Sequence, residues 1–461
     1  MKATILLTLL LLFASDLSAQ RLTSHKRLQA DTLKYRITLR DKQATTYRLD
    51  HPQAFLSDKA IERRNRQHLP IDSTDLPVCQ TYINAIRQLG VRIVLTGKWD
   101  NFVTISCNDT SSIRQILDLP FVCSAKRVWQ KPATDDRHDR QDTTLYQPTL
   151  YPDSLYGLAG TQLRMSRGDR LHQAGFRGQG MVIAVIDAGF RHVDRIESMY
   201  NIDVLGTHNF VNPSVSVFAA DAHGTSVLSC IGMNTPYIMI GTAPDASFWL
   251  LCSEDTESEY PIEQDYWAAA VEYADSVGAD VINTSLGYYA FDDPDANIVY
   301  RQLDGRSTLI SRQASRLADK GIVLVCSAGN TGSGPWKKIT PPADADNVLT
   351  VGAVDRKGIL ASFSSIGNTA DGRIKPDVVA LGKAAEVMND NGRQRHANGT
   401  SFASPILCGM VTCLWQALPE LTARELIALV RSLGNRADAP DNIYGYGIPD
   451  LSQPLRNRLQ R

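Results

Sequence analysis

The chain has 461 residues, of which 43% are hydrophobic and 21% are charged, and its formal net charge is −1. A near-neutral chain has no electrostatic reason to bind nucleic acid or an anionic membrane non-specifically, so we expect neither as a partner. With 31 glycines and 21 prolines, the composition is that of a globular protein and excludes collagen-like and disordered chains. The length allows two or three domains.

Residues 1–19 have the pattern of a secretory signal peptide. Lys2 is followed by an apolar run from Ala3 to Ala14, and the small residue Ala19 marks the expected cut. The run is shorter than the ~20 residues that a membrane-spanning helix needs. We therefore predict export to a secreted or periplasmic location, and we expect no membrane span.

Residues 35–129 are predicted to form a small α+β domain. Strand and helix patterns follow in the order β-α-β-β-α-β, which is typical of a ferredoxin-like unit, with an insertion after the first strand. The insertion contains the run Arg63-Arg64-Asn65-Arg66, which we interpret as the solvated face of a helix, with a dibasic processing site as the alternative. Residues 130–155 are charged and carry prolines, which indicates a linker with a processing site.

From residue 156 to 457, apolar strand patterns alternate with helical ones. Runs at 182–186, 248–251, 281–282 and 322–325 are apolar throughout, as in strands that are buried on both faces of a parallel sheet. The predicted fold class is therefore α/β, a parallel sheet flanked by helices, preceded by the small ferredoxin-like domain.

The eight cysteines form no CxxC pair and no His-Cys cluster, so no zinc site is predicted. Several lie in apolar patterns, where a free cysteine behaves as a small buried hydrophobe. We favour mostly free thiols, although export permits disulfides.

Four polar residues stand where strands end or helices begin. Asp187 ends an apolar strand, His223 opens a helical pattern, Asn330 follows another strand, and Ser401 lies at the start of an apolar helix. Catalytic groups of α/β sheets gather at the carboxyl ends of strands, and a serine beside helix amides suits an attack that creates an oxyanion. Each residue alone has an ordinary structural reading, as a turn or a helix cap. We place Pro405 in the first turn of that helix.

Taken together, in the order Asp, His, Asn, Ser, these motifs resemble the subtilisin-like serine proteases, the subtilases. The order is that of subtilisin itself. The likeness spans about residues 160–457 and is carried by Val185-Ile186-Asp187-Ala188-Gly189, His223-Gly224-Thr225, Ser285-Leu286-Gly287, Ala328-Gly329-Asn330 and Gly399-Thr400-Ser401-Phe402-Ala403-Ser404-Pro405.

The resemblance implies a role for each matching residue. Ser401 would attack the scissile carbonyl, His223 would take and return its proton, and Asp187 would orient the histidine. The side-chain amide of Asn330 and the backbone N–H of Ser401 would form the oxyanion hole. Ala188 stands where the family commonly has Thr or Ser, which implies a weakened hydrogen bond to Asp187.

The same resemblance implies the walls of a substrate cleft. Ser285, Leu286 and Gly287 would bind substrate backbone and form one wall of the specificity pocket. Ala328 and Gly329 would form the other wall, with Thr340 near the floor, and an uncharged floor implies apolar or broad specificity.

The 35–129 domain resembles a subtilase propeptide, which implies a zymogen whose own propeptide inhibits it; a separate binding domain is the alternative. We expect an exported serine endopeptidase acting on polypeptides, monomeric, with no required cofactor and no metal at the site. Structural calcium is possible in this family, but the sequence contains no EF-hand loop to indicate it.

Two other functions are less consistent with the sequence. An α/β-hydrolase esterase needs a G-x-S-x-G elbow and the order Ser, Asp, His, and the sequence has neither. A non-catalytic binding protein on the same scaffold would be favoured by a missing triad residue, and none is missing.

Overall fold

The structure is a computed structural model that describes residues 32–131 and 155–459. The predicted signal peptide and residues 132–154 of the predicted linker lie outside the described residues. No helix within the described ranges is long and apolar enough to cross a membrane.

Residues 32–131 fold into an antiparallel sheet with helices. The strand order is β2-β3-β1-β4, which is the arrangement of a ferredoxin-like unit, so the predicted pattern is confirmed. Ile37, Ile105 and Val103 of the sheet pack against Ile86 and Ile116 of the helices. The elements are β1 Leu33–Leu39, α1 Asp58–Arg66, α2 Gln80–Gln88, β2 Arg92–Gly97, β3 Phe102–Cys107, α3 Ser111–Leu117 and β4 Val122–Gln130.

The rest of the described chain is built on a seven-stranded sheet whose paired strands are all parallel, which confirms the α/β class. The strand order is β13-β12-β11-β10-β5-β9-β6. The strands are β5 Val182–Asp187, β6 Asp203–Asn209, β7 Asn234–Thr235, β8 Met239–Ile240, β9 Ser247–Cys252, β10 Val281–Thr284, β11 Val323–Ser327, β12 Leu349–Val354, β13 Val378–Leu381, β14 Ala385–Met388 and β15 Gln394–Ala397, of which β7–β8 and β14–β15 are separate hairpins.

Helices cover both faces of this sheet. They are α4 Gly160–Met165, α5 Gly168–Gln173, α6 His223–Gly232, α7 Glu263–Val277, α8 Leu309–Arg316, α9 Thr400–Ala417, α10 Ala423–Ser432 and α11 Gln453–Leu459. Alternate residues of β5 face opposite cores: Ile183 and Val185 join α6 and α9, whereas Ala184 and Ile186 join α7 and α8. The sheet is therefore buried on both faces, as its continuous apolar runs predict.

One sequence interpretation is wrong. Arg63 and Arg64 lie on helix α1, as predicted, but their exposed fractions are 1% and 0%, so they do not form a solvated face. Both side chains contact Asp275 of α7, 211 or more positions away in the chain. Local sequence cannot show such a partner, and an arginine run without one is normally exposed.

Candidate active site

The parallel sheet gathers the predicted site residues at one edge. Asp187 is the last residue of β5, and Asn330 follows the end of β11. His223 is the first residue of α6 and Ser401 is the second residue of α9, so the predicted positions at helix starts hold. Because neighbouring strands run in the same direction, their carboxyl ends and the loops that follow them meet on the same side.

The imidazole of His223 is bonded to Asp187. Its Nδ1 atom lies 2.7 Å from Oδ1 of Asp187, and the two side chains are 37% and 2% exposed. Burial acts to lower the pKa of His223, but the charge of Asp187 and this hydrogen bond outweigh it, so the pKa of His223 is raised. The half-exposed imidazole is thus a stronger base than an ordinary histidine, and its Nδ1 edge is fixed by Asp187.

Glycine at position 224 lets the strand end and the helix start come together. A Cβ atom on Gly224 would lie 2.3 Å from the carbonyl oxygen of Gly189 and 2.9 Å from Cβ of Asp187. Any larger residue would push β5 and α6 apart and lengthen the bond between His223 and Asp187.

Ser401 is held against the segment that follows β10. Its hydroxyl donates to the carbonyl oxygen of Ser285 at 3.2 Å, and the residue is 8% exposed. The ring of the next residue, Phe402, has its centroid 5.9 Å from that of His223. The start of α9 therefore lies beside the imidazole.

Pro405 is one turn further into α9 than predicted, because the helix begins at Thr400. A proline has no N–H to give the carbonyl four residues earlier, which here is that of Ser401. The Ser285 hydroxyl donates to that carbonyl at 2.9 Å instead. Because of Pro405, the carbonyl of Ser401 is available to bond the side chain of Ser285.

A buried polar network behind Ser401 was not predicted. The side-chain amide of Asn283 donates to the Ser285 hydroxyl at 3.1 Å, and the Ser404 hydroxyl donates to Oδ1 of Asn283 at 2.8 Å. Asn283 is the third residue of β10 and belongs to none of the sequence motifs. Its complete burial, which demands hydrogen-bond partners, becomes visible only once β10 is known to be central.

Asn330 is oriented by Thr400, a second residue that the sequence did not single out for this role. Oδ1 of Asn330 accepts both the backbone N–H and the hydroxyl of Thr400, each at 2.9 Å. Its amide nitrogen then points away from that pair, and a Cβ atom on Gly399 would lie 3.6 Å from it. The amide nitrogen therefore lies close to Gly399, two residues before Ser401.

The predicted pocket residues lie together. Gly287 and Gly329 both face the hydroxyl of Thr340, since Cβ atoms there would lie 2.3 Å and 2.9 Å from it. Ala328 and Thr340 are buried, and Thr340 donates its backbone N–H to the carbonyl of Ala328 at 3.3 Å. Leu286 is half-buried against the core formed with α7 and α8.

One carboxylate oxygen of Asp187 has no hydrogen-bond partner among the described residues. Oδ1 accepts the backbone N–H of Ala188 at 2.8 Å as well as bonding His223, whereas the buried Oδ2 atom is unpaired. This agrees with the loss implied by alanine at 188 in place of a hydroxyl residue.

The N-terminal domain contacts the loop that leaves β9 at the same edge. The N–H of Ile262 donates to the carbonyl of Val128 at 3.0 Å, and the indole N–H of Trp129 donates to the Ser258 hydroxyl at 3.2 Å. Strand β4, which ends at Gln130, therefore lies beside this loop.

No group of three or more His, Cys, Asp or Glu side chains in the described parts of the chain is arranged to hold a metal ion. All eight cysteines lie in those parts, and all are free, in agreement with the favoured prediction.

A sequence model of the family described as "Subtilase family" matches residues 178–447. The chain belongs to the subtilase family. A second family model, described as "Peptidase S8 propeptide domain, Bacteroidota", matches residues 34–144, so this subtilase is a serine peptidase with an N-terminal propeptide.

Two subtilisins are similar in sequence to this chain. Subtilisin DY of Bacillus licheniformis is 28% identical over 265 residues, which is 56% of this chain and 85% of that protein. Subtilisin E of Bacillus subtilis (strain 168) is 30% identical over 261 residues, 56% of this chain and 61% of the relative. The subtilase thus aligns with somewhat under two thirds of subtilisin E.

Solved structures show the same fold. The MycP3 protease from the type VII (ESX-3) secretion system superposes with a TM-score of 0.51 at 23% identity, covering 66% of this chain and 89% of that one. MycP1 with its N-terminal propeptide removed gives the same TM-score and identity over 64% and 96% of the two chains.

Proposed function

We propose that this subtilase is an exported endopeptidase that hydrolyses polypeptides with Asp187, His223 and Ser401 as its catalytic triad. The observation that carries the proposal is the 2.7 Å contact between Nδ1 of His223 and buried Asp187, next to the start of the helix that holds Ser401. The contact leaves the other ring nitrogen, Nε2, available to a nucleophile.

Attack on the substrate needs the Ser401 hydroxyl to turn from the Ser285 carbonyl towards His223. Such catalytic hydrogen bonds are often unformed without substrate. Nε2 of His223 then takes the hydroxyl proton while Oγ bonds to the scissile carbonyl carbon, and the resulting imidazolium is stabilised by Asp187. The imidazolium returns the proton to the leaving amine, and a water molecule repeats the sequence to release the acyl group.

Asn330 and the backbone N–H of Ser401 would stabilise the oxyanion. Because Thr400 holds Oδ1 of Asn330, only the amide N–H groups of this side chain face the reacting carbonyl. The donors are thus fixed before charge develops, so no reorganisation is needed in the transition state.

The cleft suits an uncharged side chain before the scissile bond. Gly287, Gly329 and Thr340 surround the proposed pocket, and none of them is charged. We therefore propose apolar or broad specificity, with substrate backbone bound along Ser285 to Gly287.

We also propose that the chain is a monomeric zymogen that is exported by its signal peptide and matures by a cut within 130–155. The support is the position of β4, which delivers the chain to the cleft edge at Val128 and Trp129. In that position the propeptide covers the loop beside the site and would inhibit the enzyme until it is cut.

The test is hydrolysis of an unstructured protein such as casein by purified full-length chain. We expect Ser401→Ala to abolish hydrolysis and processing, whereas Ser432→Ala, at the exposed end of α10, should leave both unchanged. Hydrolysis that survives in Ser401→Ala would overturn the proposed mechanism. A folded wild-type chain that neither processes nor hydrolyses would favour the non-catalytic binding protein.

A further inference from the structure

A group of carboxylates lies where two segments beside the cleft meet. The loop between β9 and α7 contains Glu254 and Glu259, and α7 begins with Glu263. We call these three residues the acidic cluster. Glu254 and Glu259 are half-buried, whereas Glu263 is only 1% exposed. None of the three takes part in the proposed catalytic steps, so their presence at this place needs another reason.

The loop that carries the acidic cluster begins at the proposed catalytic residues. Cys252, which ends β9, pairs in register with Asp187, and the N–H of the next residue, Ser253, donates to the carbonyl of Asp187 at 3.0 Å. Glu254 follows directly. Burial lowers the pKa of His223, and the charge of Glu254 raises it, as does the larger effect of Asp187. The first carboxylate of the cluster is therefore close enough to the imidazole for its charge to act there.

Tyr288 joins the acidic cluster to the segment that is proposed to bind substrate. It directly follows Ser285 to Gly287, its side chain is buried, and its hydroxyl donates to Oε1 of Glu254. Burial raises the pKa of this hydroxyl, and the negative charges of Glu254, Glu263 and Glu259 raise it further. All three carboxylates thus act on one hydroxyl, and the acidic cluster borders the end of the substrate segment.

Glu263 has a buried carboxylate oxygen without a partner. Its Oε1 atom accepts the backbone N–H of Asp255 at 3.0 Å, whereas its buried Oε2 atom has no hydrogen-bond partner among the described residues. Burial raises the pKa of Glu263, and the negative charges of Glu254 and Glu259 raise it further. A buried acceptor without a partner has lost its contact with water, and like charges repel each other. A positively charged group that enters between these carboxylates would remove both costs.

A basic side chain fits this place better than a metal ion does. In the described parts of the chain, no three carboxylates are arranged to hold a metal. A guanidinium or ammonium group instead donates several hydrogen bonds in different directions, so it can bind carboxylates that are too far apart to share one ion. In a polypeptide, arginine and lysine carry such groups.

A basic side chain already lies at the rim of the acidic cluster. Arg127, on β4 of the propeptide, donates to Oδ2 of Asp293 at 3.2 Å. The neighbouring Asp292 accepts the backbone N–H of Glu259 at 2.9 Å. The strand that lies beside this loop thus places a guanidinium against the acidic surface, which is the chemistry that a basic substrate would repeat.

The distance along the cleft sets the position of that residue in the substrate. Tyr288 lies three residues after Ser285, whose carbonyl accepts the Ser401 hydroxyl. Three residues of extended chain span at most about 11 Å. The proposed pocket for the residue before the scissile bond is built on the same segment. A substrate strand that continues along it therefore brings its third or fourth residue before that bond to the acidic cluster.

We propose that the acidic cluster binds an arginine or lysine side chain at the third or fourth position before the scissile bond, and so favours polypeptides that carry one there. The inference rests on the proposed function and deepens it. The uncharged pocket accepts the residue next to the bond, whereas the acidic cluster selects a positive charge further along the substrate.

The first test compares matched peptides that end in leucine and a fluorogenic leaving group, which fixes the scissile bond. One member of each pair has arginine at the third or the fourth position, and the other has citrulline, which is nearly the same shape without the charge. For the self-processed enzyme, kcat/KM is expected to be about tenfold or more higher with arginine in at least one pair, because citrulline cannot form charge-assisted hydrogen bonds. Ratios near one in both pairs would overturn the proposal.

The second test assigns the preference to the acidic cluster. Glu254→Gln, which keeps an acceptor for Tyr288, and Glu259→Gln are each expected to lower the arginine-to-citrulline ratio by about threefold or more, since one charge is removed. Glu257→Gln, on the same loop but exposed and outside the cluster, should leave the ratio unchanged. The ratio compares two peptides on one enzyme, so an altered imidazole affects both alike. A ratio that neither cluster variant lowers, or that the control lowers equally, would overturn the proposal.

Salt and calcium provide two further measurements on the unaltered enzyme. Because salt screens exposed charges, the ratio should fall between about 0.05 M and about 1 M sodium chloride, and this result decides the matter if neither cluster variant folds. A ratio that salt does not change would overturn the proposal. The ratio should be the same with EDTA and with added calcium. A ratio that depends on calcium would show that the acidic cluster holds a metal ion instead, and would also overturn it.

The same peptides separate this inference from the proposed function. Hydrolysis of arginine and citrulline peptides at equal rates overturns the inference while the proposed function stands. If no peptide is hydrolysed, the proposed function fails, and the binding of the labelled peptides to the same protein is measured by fluorescence anisotropy. Tighter binding of the arginine peptide then supports the inference, and equal binding overturns it.

Discussion

Single hydrogen bonds decide how the proposed catalytic groups of this subtilase are held. Asp187 fixes His223, the Ser285 carbonyl holds the Ser401 hydroxyl, and Thr400 fixes the amide oxygen of Asn330. The motifs predicted that these residues stand at strand ends and helix starts, and the structure places them there. They could not predict Thr400 or Asn283 as partners, because a polar side chain next to a motif has no pattern of its own.

Removing the amide of Asn330 should slow the chemical step. We expect Asn330→Ala to lower kcat by ~10²–10³, or about 2.7–4 kcal/mol, with KM little changed. This is the effect of removing one oxyanion-hole donor from a subtilisin, and we expect it here because this chain belongs to the same family. Asn330→Asp keeps an acceptor for Thr400 but loses the donor, and should be as slow. Steady-state kinetics on a peptide substrate gives both numbers. An aspartate variant with wild-type kcat would show that the amide donates nothing.

The pH dependence of catalysis should follow His223. Its raised pKa means that the imidazole is protonated, and useless as a base, up to a higher pH than an ordinary histidine. We therefore expect the acid limb of kcat/KM to lie above pH 6.5, the usual value for histidine.

A hydroxyl at position 188 should shift that limb. Ala188→Thr places a donor next to the carboxylate of Asp187, whose Oδ2 atom is buried and unpaired. A new hydrogen bond there would weaken the pull of Asp187 on the imidazolium, so the limb should move to lower pH than in Ala188→Val, which has the same shape without the hydroxyl. Identical limbs in the two variants would mean that the added hydroxyl does not reach Oδ2.

Close contacts between whole elements set the geometry in which those bonds form. Helix α9 is buried along nearly its entire length, as its apolar sequence predicts, and it packs on the sheet and on α6. Its exact start was not predictable from Pro405, because the carbonyl that the proline leaves unpaired accepts the hydroxyl of Ser285, in the segment that follows β10. The hydrogen bond from Ser285 thus allows Pro405 to lie beyond the first turn of α9, where proline is normally found.

Gly409 tests the packing of α9. Alanine normally favours a helix over glycine by ~1 kcal/mol. Here, however, a Cβ atom would lie 2.1 Å from the hydroxyl of Thr242 and 2.8 Å from the N–H nitrogen of Ala243. We expect Gly409→Ala to lower the free energy of unfolding by ~1–3 kcal/mol, since the clash outweighs the helix preference.

Urea unfolding in the Ser401→Ala background, which prevents self-digestion, measures this change. Gly334→Ala is the matched control, because its nearest neighbour would be 3.4 Å from the new Cβ atom. A Gly409 variant as stable as the control would show that α9 can move away from Thr242 at no cost.

The whole molecule is two domains joined by a buried, charged interface along α7. Sequence patterns gave both domains and their order correctly, because each has its own strand and helix periodicity. They wrongly predicted that Arg63 and Arg64 are exposed to solvent. Both side chains are buried against Asp275, which lies in the other domain. Interfaces between domains depend on contacts that no local pattern records.

The interface should make stability depend on pH. The carboxylate of Glu272 accepts the N–H groups of Lys98 at 2.6 Å and Trp99 at 2.9 Å. Burial raises the pKa of Glu272 from 4.5 to about 7, against the opposing charges of Lys98 and Lys42 and these hydrogen bonds. A carboxyl whose pKa is raised on folding contributes stability below its unfolded pKa and loses that contribution as the pH rises to its folded pKa.

We therefore expect the full chain with Ser401→Ala to lose about 1–3 kcal/mol of unfolding free energy through Glu272 as the pH rises from about 4.5 to about 7. Glu272→Gln should remove most of this dependence, whereas Glu62→Gln, on the exposed side of α1, should not. Urea midpoints across that pH range decide the matter. An unchanged pH dependence in Glu272→Gln would contradict the role given to this carboxyl.

The central claim is that Ser401, activated by His223, is the nucleophile of this subtilase. A fluorophosphonate probe reacts with activated serines, and mass spectrometry of the labelled, processed chain identifies the modified residue. We predict a single label on Ser401, absent in Ser401→Ala and strongly slowed in His223→Ala. Labelling that persists in Ser401→Ala, or an unlabelled wild-type protein that still cleaves peptides, would contradict the account.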